Sequence, residues 1–579
     1  MTSFSMGFKP IKERQIINEW ALKVYAGALC TLILLFALLY WGPHLSTKYR
    51  KSTPRYLRTI PGYQNLRRMS RAVRSYTLHQ IPGFPSLGHA VLTAIYLILN
   101  FTLCIINVKT HKLSNPAARL GWMATANILL AVFLGLKNTP LRVLTSETYN
   151  RLNFLHRAVG YTAVAQTLLH AILYMICFGG KNRWDIFIYR PNLEGSISGV
   201  GMLMLLLGIF RTLNYEVFYV SHIIGVIVTI TFAALHRPSW VQKVPIIMVI
   251  AAAIWVVDRL IRGTFLLFNL RDGTATIYPL PRGGIKLVMR TPRAAANPGL
   301  HCFVWIPGIR AFQTHPFTIT SHTTSSLEMI VKSHAGFTKD LYEFAVSNPG
   351  SVVNASIDGP YGSLPNLKHY DKLVFIAGGS GAAFTFGLMD KWLSQLQPGS
   401  TQLVHFIWTV REKENLAWFA DHLDELSCHP SQISVALHVT GESISTSPCQ
   451  YYSPGSSTPT LIASGDFLPQ IARGGPVESL YHLTLSSRLA ASLEEYEHER
   501  LLSETPESMD LESRFDIKYQ RLRANDIISD IVRSTGVNQQ VLVAACGPRS
   551  LMKDVMMTVG SCMRSDGPSI EVHCENFDL

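Results

Sequence analysis

Apolar residues collect in seven long runs, at 23–42, 88–107, 117–136, 155–179, 196–212, 217–236 and 243–262. Each approaches the roughly 20 residues that a helix needs to cross a hydrocarbon core of about 30 Å. Beyond about residue 265 the pattern changes. Short apolar segments, Thr274–Leu280, Lys286–Arg290, Cys302–Ile306 and Leu327–Val331, are broken by glycine and proline and predict a small antiparallel β-barrel. From Lys372 a third pattern begins. Apolar strands at Lys372–Ala377, His405–Val410 and Val541–Ala545 alternate with helical stretches such as Ala382–Gln395, which predicts a parallel α/β sheet with ligands at the carboxyl ends of its strands. The fold class is therefore multi-domain: an α-helical transmembrane bundle, a β-barrel and an α/β domain. The expected boundaries are a tail at 1–22, the bundle at 23–262, the barrel at 263–368 and the α/β domain at 369–579. A segment at about 441–514, first rich in Ser, Pro and Gly and then in charge, reads as a flexible insertion with one helix near 484–502.

Charge orients the bundle. Residues 43–87 hold nine Lys/Arg (Lys48, Arg50, Lys51, Arg55, Arg58, Arg67, Arg68, Arg71 and Arg74) and no Asp or Glu, which places this loop in the cytosol by the positive-inside rule. Alternation then puts Lys137, Arg142, Arg151 and Arg211 inside, the N-terminus outside, and everything after Arg259 and Arg262 inside. The first apolar run is too long for the core of a cleavable leader and is read as a retained span. The net charge of +14 comes largely from such loops, so it argues for contact with anionic lipid and against nucleic acid. The nine cysteines form no disulfide framework.

Four histidines carry the candidate chemistry of the bundle. His156 and His170 share one span, His222 and His236 another, and both pairs read H-x13-H. Fourteen positions are four helical turns less about 40°, so each pair shares a face with its rings about 21 Å apart along the axis. Intramembrane ionisable residues point to function, and neutral imidazole is a haem-iron ligand. Two such helices side by side hold two imidazole pairs: His156 with His222 near the inner surface, His170 with His236 near the outer. Arg151, Arg157 and Arg211 inside, and Arg183 and Arg237 outside, are candidates to neutralise haem propionates or are ordinary interfacial anchors.

The cytosolic part adds further motifs. His315-Pro316-Phe317-Thr318 leads to Ser321. Gly336 and Thr338 open a predicted helix, where free backbone N–H groups suit a phosphate. Gly378-Gly379-Ser380-Gly381 follows an apolar strand and precedes a helix, the arrangement that lets a backbone approach a dinucleotide pyrophosphate. Arg411, at the end of the next strand, is a candidate ligand for a 2′-phosphate, and Cys546-Gly547-Pro548 ends a third strand.

Taken in order, these motifs resemble the ferric reductase family of fungal plasma membranes, relatives of the NADPH oxidases. The resemblance spans roughly 117–579 without the insertion. It implies two b-type haems on His156, His170, His222 and His236. It implies a ferredoxin-reductase-like barrel that holds FAD through His315, Pro316, Phe317, Thr318 and Ser321, with Gly336 and Thr338 near its pyrophosphate. It implies an NADPH domain with Gly378, Gly379 and Gly381 at the pyrophosphate, Trp408–Arg411 reading the 2′-phosphate, Cys546, Gly547 and Pro548 beside the nicotinamide, and Phe577 covering the flavin. Cys546 and Phe577 would be the catalytic pair. The chain departs from the family where Ala382, Ala383 and Phe384 follow the glycine turn, and where Arg521 or Arg523-Ala-Asn-Asp526 stands for a Gly-Arg-Pro. The implied activity is NADPH-dependent reduction of an exterior Fe(III) chelate or siderophore, or of Cu(II), by a multi-pass protein of the plasma membrane or an endomembrane such as the vacuole. The rival is a superoxide-generating NADPH oxidase; the equal spacing of both histidine pairs favours the reductase.

Overall fold

Seven helices are long and apolar enough to cross a membrane among the residues described by the computed structural model, which are 2–48, 81, 83–145, 149–211, 213, 215–236, 243–290, 297–323, 326–441, 511–537, 539–563 and 567–575. They are α1 (Thr2–Lys48), α2 (Leu87–Ile105), α3 (Ser114–Gly135), α4 (Tyr149–Gly179), α5 (Arg190–Leu206), α6 (Tyr215–Leu235) and α7 (Lys243–Leu270). The chain is a multi-pass membrane protein. All seven spans fall on the apolar runs; α1 contains the run at 23–42. On α1 Glu19 pairs with Lys243 of α7, while Asn18, Ala21 and Tyr25 are buried.

Helix α3 packs along α4, and α5 along α6, with α7 against both α3 and α6. Glycines permit the closest approach: a Cβ on Gly201 would stand 2.7 Å from Thr229 Oγ1 and 3.1 Å from the Gly225 carbonyl. Polar groups inside this layer must find internal partners. At mid-depth Tyr25 and Tyr96 donate to Asn127 Oδ1 (2.5 and 2.8 Å), and Asn127 Nδ2 donates to Asn100 Oδ1 and Gln166 Oε1 (2.7 and 2.8 Å). Arg119, fully buried, donates to Asn18 Oδ1 (2.7 Å) and to the carbonyls of Ile17, Leu103 and Ile106. These two networks tie α1 and α2 to the pair α3–α4.

Helix α7 runs on into the barrel. Two antiparallel sheets form it, in the orders β5-β6-β2-β1-β7 and β4-β3-β8. The strands are β1 (Thr274–Leu280), β2 (Gly284–Arg290), β3 (His301–Trp305), β4 (His315–Thr318), β5 (Ser321–His322), β6 (Ser326–Lys332), β7 (Ser351–Asn354) and β8 (Ser356–Tyr361). Ile277, Leu287, Met289, Val304, Met329 and Leu341 fill its core. Helix α8 (Phe337–Ser347) closes one end.

The last region is a parallel sheet in the order β12-β11-β10-β9-β13-β14. It comprises β9 (Lys372–Gly378), β10 (Leu403–Val410), β11 (Ile433–Val439), β12 (Ile517–Lys518), β13 (Gln540–Cys546) and β14 (Ser569–Glu575), with helices α9 (Ala382–Leu393), α10 (Ala420–Ser427), α11 (Ala524–Arg533) and α12 (Arg549–Cys562). Strand β9 is buried along its whole length, as a central parallel strand requires. Most of the expected insertion, with its helix near 484–502, lies outside the described residues.

The barrel is welded to the end of α7. Arg262 Nε donates to Asp358 Oδ2 at 2.6 Å, with 9% and 3% of the two side chains exposed, and Tyr361 donates to the other oxygen at 2.6 Å. Asn269 donates to the Ile357 carbonyl and Ser356 to that of Leu266. Lys137, between α3 and α4, lies over the Phe303 ring at 2.9 Å. Breaking a buried ion pair strands a charge at a cost of about 3–5 kcal/mol. Asp358→Ala is therefore expected to loosen this junction, read as faster hydrogen exchange over 262–270 and 356–361 with 372–378 unchanged. Wild-type exchange in the variant would contradict the weld.

Candidate functional site

The H-x13-H helix meets a neighbour with the same repeat. His156 Nδ1 donates to the carbonyl of Ala131 (2.8 Å) and His170 Nδ1 to that of Ala117 (2.7 Å); the two acceptors are themselves 14 residues apart on antiparallel α3. Four residues beyond each acceptor stands a glycine. A Cβ on Gly121 would lie 2.7 Å from the His170 ring, and one on Gly135 would lie 3.3 Å from His156. Across the gap His236, just past the end of α6, repeats the device with α5: its Nδ1 donates to the Pro191 carbonyl (2.5 Å), and a Cβ on Gly195 would reach its ring at 2.5 Å. The repeat stops at the fourth histidine. Helix α5 tightens into a 3-10 turn at Leu207–Phe210, and His222 Nδ1 has no hydrogen-bond partner among the described residues.

A carbonyl on Nδ1 fixes the tautomer and leaves Nε2 as the lone-pair nitrogen. The rings then face each other in the two pairs expected. His156 and His222 have centroids 6.2 Å apart, His170 and His236 6.1 Å. Two imidazole–metal bonds of about 2.0 Å, plus about 1.1 Å from each nitrogen to its ring centre, require a separation of roughly 6.2 Å. The residues present fit an iron porphyrin held from both sides at two depths. Among the described residues no group of three or more His, Cys, Asp or Glu is placed to hold a metal ion.

The barrel motifs also converge. His315 stacks on Phe337, the first residue of α8, with centroids 4.2 Å apart and planes 7° from parallel; Phe317 lies 6.2 Å from the same ring. This brings the His315–Thr318 strand to the helix start that Gly336 caps. Gly336 has φ +81° and open space where a Cβ would stand, so only glycine gives both the turn and the access. Thr338 Oγ1 accepts from the His334 N–H (2.8 Å) and shapes the same turn. Burial first, then the charge of Arg310, pushes His315 down to about 4, so its ring is neutral. Pro316 is half-buried, Thr318 buried, and Ser321 pairs with Glu328 at the sheet edge. The backbone donors and neutral ring fit a flavin dinucleotide.

In the parallel sheet the strand order turns back on itself at β9: β10 lies on one side and β13 on the other. Crevices form at such a switch point. Gly378, Gly379 and Gly381 end β9 there, beside Cys546, Gly547 and Pro548 at the end of β13. The glycines have different reasons. A Cβ on Gly378 would strike Pro548 at 2.7 Å, and one on Gly381 would strike the Cys546 carbonyl. These two let the turns touch. Gly379, with φ +56° and open space where a Cβ would stand, is the one that leaves room for a ligand. Trp408 is fully buried and donates to the Gly379 carbonyl (3.0 Å), so it supports the turn from behind and cannot itself read a phosphate. Arg411 is exposed beyond the end of β10. Cys546 is buried, and Phe577 lies outside the described residues.

Comparison with known proteins agrees with each region in turn. Residues 120–233 match the model of the ferric reductase like transmembrane component, 270–364 an FAD-binding domain, and 370–559 the ferric reductase NAD binding domain. In this order the three matches make the chain similar to ferric reductase-like membrane proteins. Similar proteins include the probable cell surface ferric reductase kap2 of Aspergillus oryzae, 24% identical over 59% of this chain and 50% of that one. The ferric/cupric reductase transmembrane component 1 of Candida albicans is 25% identical over 62% and 49%. Component 2 of Schizosaccharomyces pombe is 26% identical over 57% and 67%. The chain thus spans about half to two thirds of the length of these relatives.

In this ferric reductase-like chain the histidines were legible from sequence and their supports were not. Gly121, Gly135 and Gly195 escaped notice as ordinary small residues of membrane helices. Their signal is the 14-residue interval of Ala117/Gly121 and Ala131/Gly135, equal to that of the histidines. Of the candidate propionate partners, Arg183 pairs with Asp185 (2.9 Å), and Arg157 lies over the Phe154 ring; the side chains of Arg151 and Arg237 lie outside the described residues. Gly195→Val should displace His236 and cost the outer pair alone. Purified variant is expected to carry half the wild-type haem with its full FAD; full haem content would contradict the packing role.

Proposed function

We propose that the chain carries electrons from cytosolic NADPH, through FAD and two b-type haems, to Fe(III) chelates or siderophores on the far side of the plasma membrane, with Cu(II) as a further acceptor. The observation that carries this reading is the pair of imidazole pairs, each spaced for one iron and set about four helical turns apart. When bound, FAD takes a hydride and gives up electrons singly, and haem iron accepts them one at a time.

The protein's share of the work is placement. His156 with His222, and His170 with His236, would hold the inner and outer irons. An iron bound by two imidazoles would offer no open site, so an acceptor outside need not bind the metal. His315, Pro316, Phe317, Thr318 and Ser321, with Gly336 and Thr338, seat FAD under the inner pair. Gly379 admits the NADPH pyrophosphate, Gly378 and Gly381 bring the β9 and β13 turns together, and Arg411 meets the 2′-phosphate. Cys546, Gly547 and Pro548 would face the nicotinamide, and Phe577 is the aromatic that the family resemblance assigns to the flavin. The weld at Arg262 and Asp358 keeps the barrel against the inner membrane face.

Proteoliposomes test this, with NADPH supplied on the flavin side and a ferric chelate trapped on the other. The expected result is chelate reduction that superoxide dismutase does not affect, and that His170→Ala abolishes while retaining FAD. Reduction that the dismutase removes would assign the chain to oxygen instead. Reduction unchanged in His170→Ala would contradict the path.

A further inference from the structure

The weld at the foot of α7, with Lys137 over Phe303, holds one side of the barrel to the bundle. A further attachment lies on a different helix. Arg310, in the loop between β3 and β4, donates from Nη1 to Glu216 Oε1 at 3.2 Å and from Nε to Asp340 Oδ2 at 2.7 Å. Its Nη2 lies at 2.7 Å from the same Asp340 oxygen.

Both carboxylates belong to elements of the proposed path. Glu216 opens α6, six residues or about 9 Å of helix before His222. Asp340 sits in the first turn of α8, two residues beyond Thr338 and four beyond Gly336. A single guanidinium therefore spans from the helix of an inner imidazole to the helix start assigned to the flavin pyrophosphate. His315 lies beside it, close enough for Arg310 and Glu216 both to act on its charge.

The chemistry of the bridge differs from that of the weld. A planar guanidinium can direct separate N–H groups at two carboxylates, which an ammonium on a flexible stem does not do with the same geometry. The three side chains are 32% (Arg310), 49% (Glu216) and 40% (Asp340) exposed, against 9% and 3% at the weld. Exposed pairs are weak and screened by salt. The weld fixes where the barrel hangs; the bridge, weaker and reversible, fixes which way it faces.

We propose that Arg310 is a positioning residue: the Glu216–Arg310–Asp340 bridge latches the flavin barrel to the helix of the inner haem ligand and so sets the separation across which electrons leave the flavin. The proposal rests on the electron path given above.

The test uses the detergent-solubilised holoprotein, wild type against Arg310→Gln, with Glu216→Gln as a milder second variant that alters only an exposed carboxylate. Hydrogen exchange reads the latch without turnover. Exchange over 306–313 and 337–341 is expected to rise in both variants and to stay unchanged over 372–378. Rapid mixing with NADPH reads the consequence: flavin bleaches at the wild-type rate, while haem bands appear roughly ten- to hundredfold more slowly, the scale expected when reacting groups lose alignment. Salt should slow the wild type toward the variants and leave the variants unaffected. Haem content and the oxidised spectrum should not change. Wild-type exchange and wild-type haem reduction in both variants would overturn the latch. Wild-type protein whose flavin bleaches while its haems stay oxidised would overturn the electron path, a separate outcome visible before any variant is made.

Discussion

An imidazole placed in hydrocarbon must satisfy two nitrogens with no water at hand, and the bundle is arranged around that demand. Each unsatisfied polar group in such a layer costs several kcal/mol. For three of the four histidines Nδ1 goes to a backbone carbonyl, of Ala131, Ala117 or Pro191. A helical carbonyl is usable only if the neighbouring helix comes close and its side chains stay out of the way, hence Gly135, Gly121 and Gly195 one turn further on. Bonding at Nδ1 leaves Nε2 of these three rings as the lone-pair nitrogen. The separation of facing rings, 6.2 and 6.1 Å, is the span of one metal ion with its two bonds. The spacing of fourteen on α4 and of fourteen on α3 are one constraint written on both sides of a helix pair.

The same demand explains the other buried polar groups of the bundle. Arg119, Asn100, Asn127 and Gln166 are buried polar groups in the bundle, and each is paired. Their networks fasten α1 and α2 to the α3–α4 pair, which keeps the small-residue face of α3 against the histidine face of α4. Below the membrane the logic passes to charge. Arg262 and Asp358 are buried together at the foot of α7, so the barrel cannot leave without stranding an ion. Placement of the flavin region relative to the inner imidazoles follows from that weld and from Arg310.

Much of this was legible in the chain, because the signals were periodic or local. Long apolar runs gave the seven spans, and the strands Thr274–Leu280 and Lys372–Gly378 appeared with their expected bounds or one residue more. The pairing of Glu19 with Lys243 of a distant helix was not legible. The roles of individual glycines were not legible either. Gly378, Gly379 and Gly381 form one motif in sequence, yet two of them serve contact with the β13 turn and only Gly379 faces open space. Trp408 reads as part of a phosphate-binding run, but its side chain points into the core. Arg310, Glu216 and Asp340 carry no local pattern at all. Their meeting depends on how three regions are stacked, a property of tertiary structure that spacing along one helix does not encode.

The central claim is that two irons are each clamped between a pair of imidazoles in one chain that also holds one flavin. The most direct measurement is cofactor stoichiometry of the purified, folded protein, haem by its pyridine complex and flavin by release on denaturation. The account predicts two b-type haems for each FAD, with low-spin spectra. Protein that binds FAD and contains no haem, or only one, would contradict it.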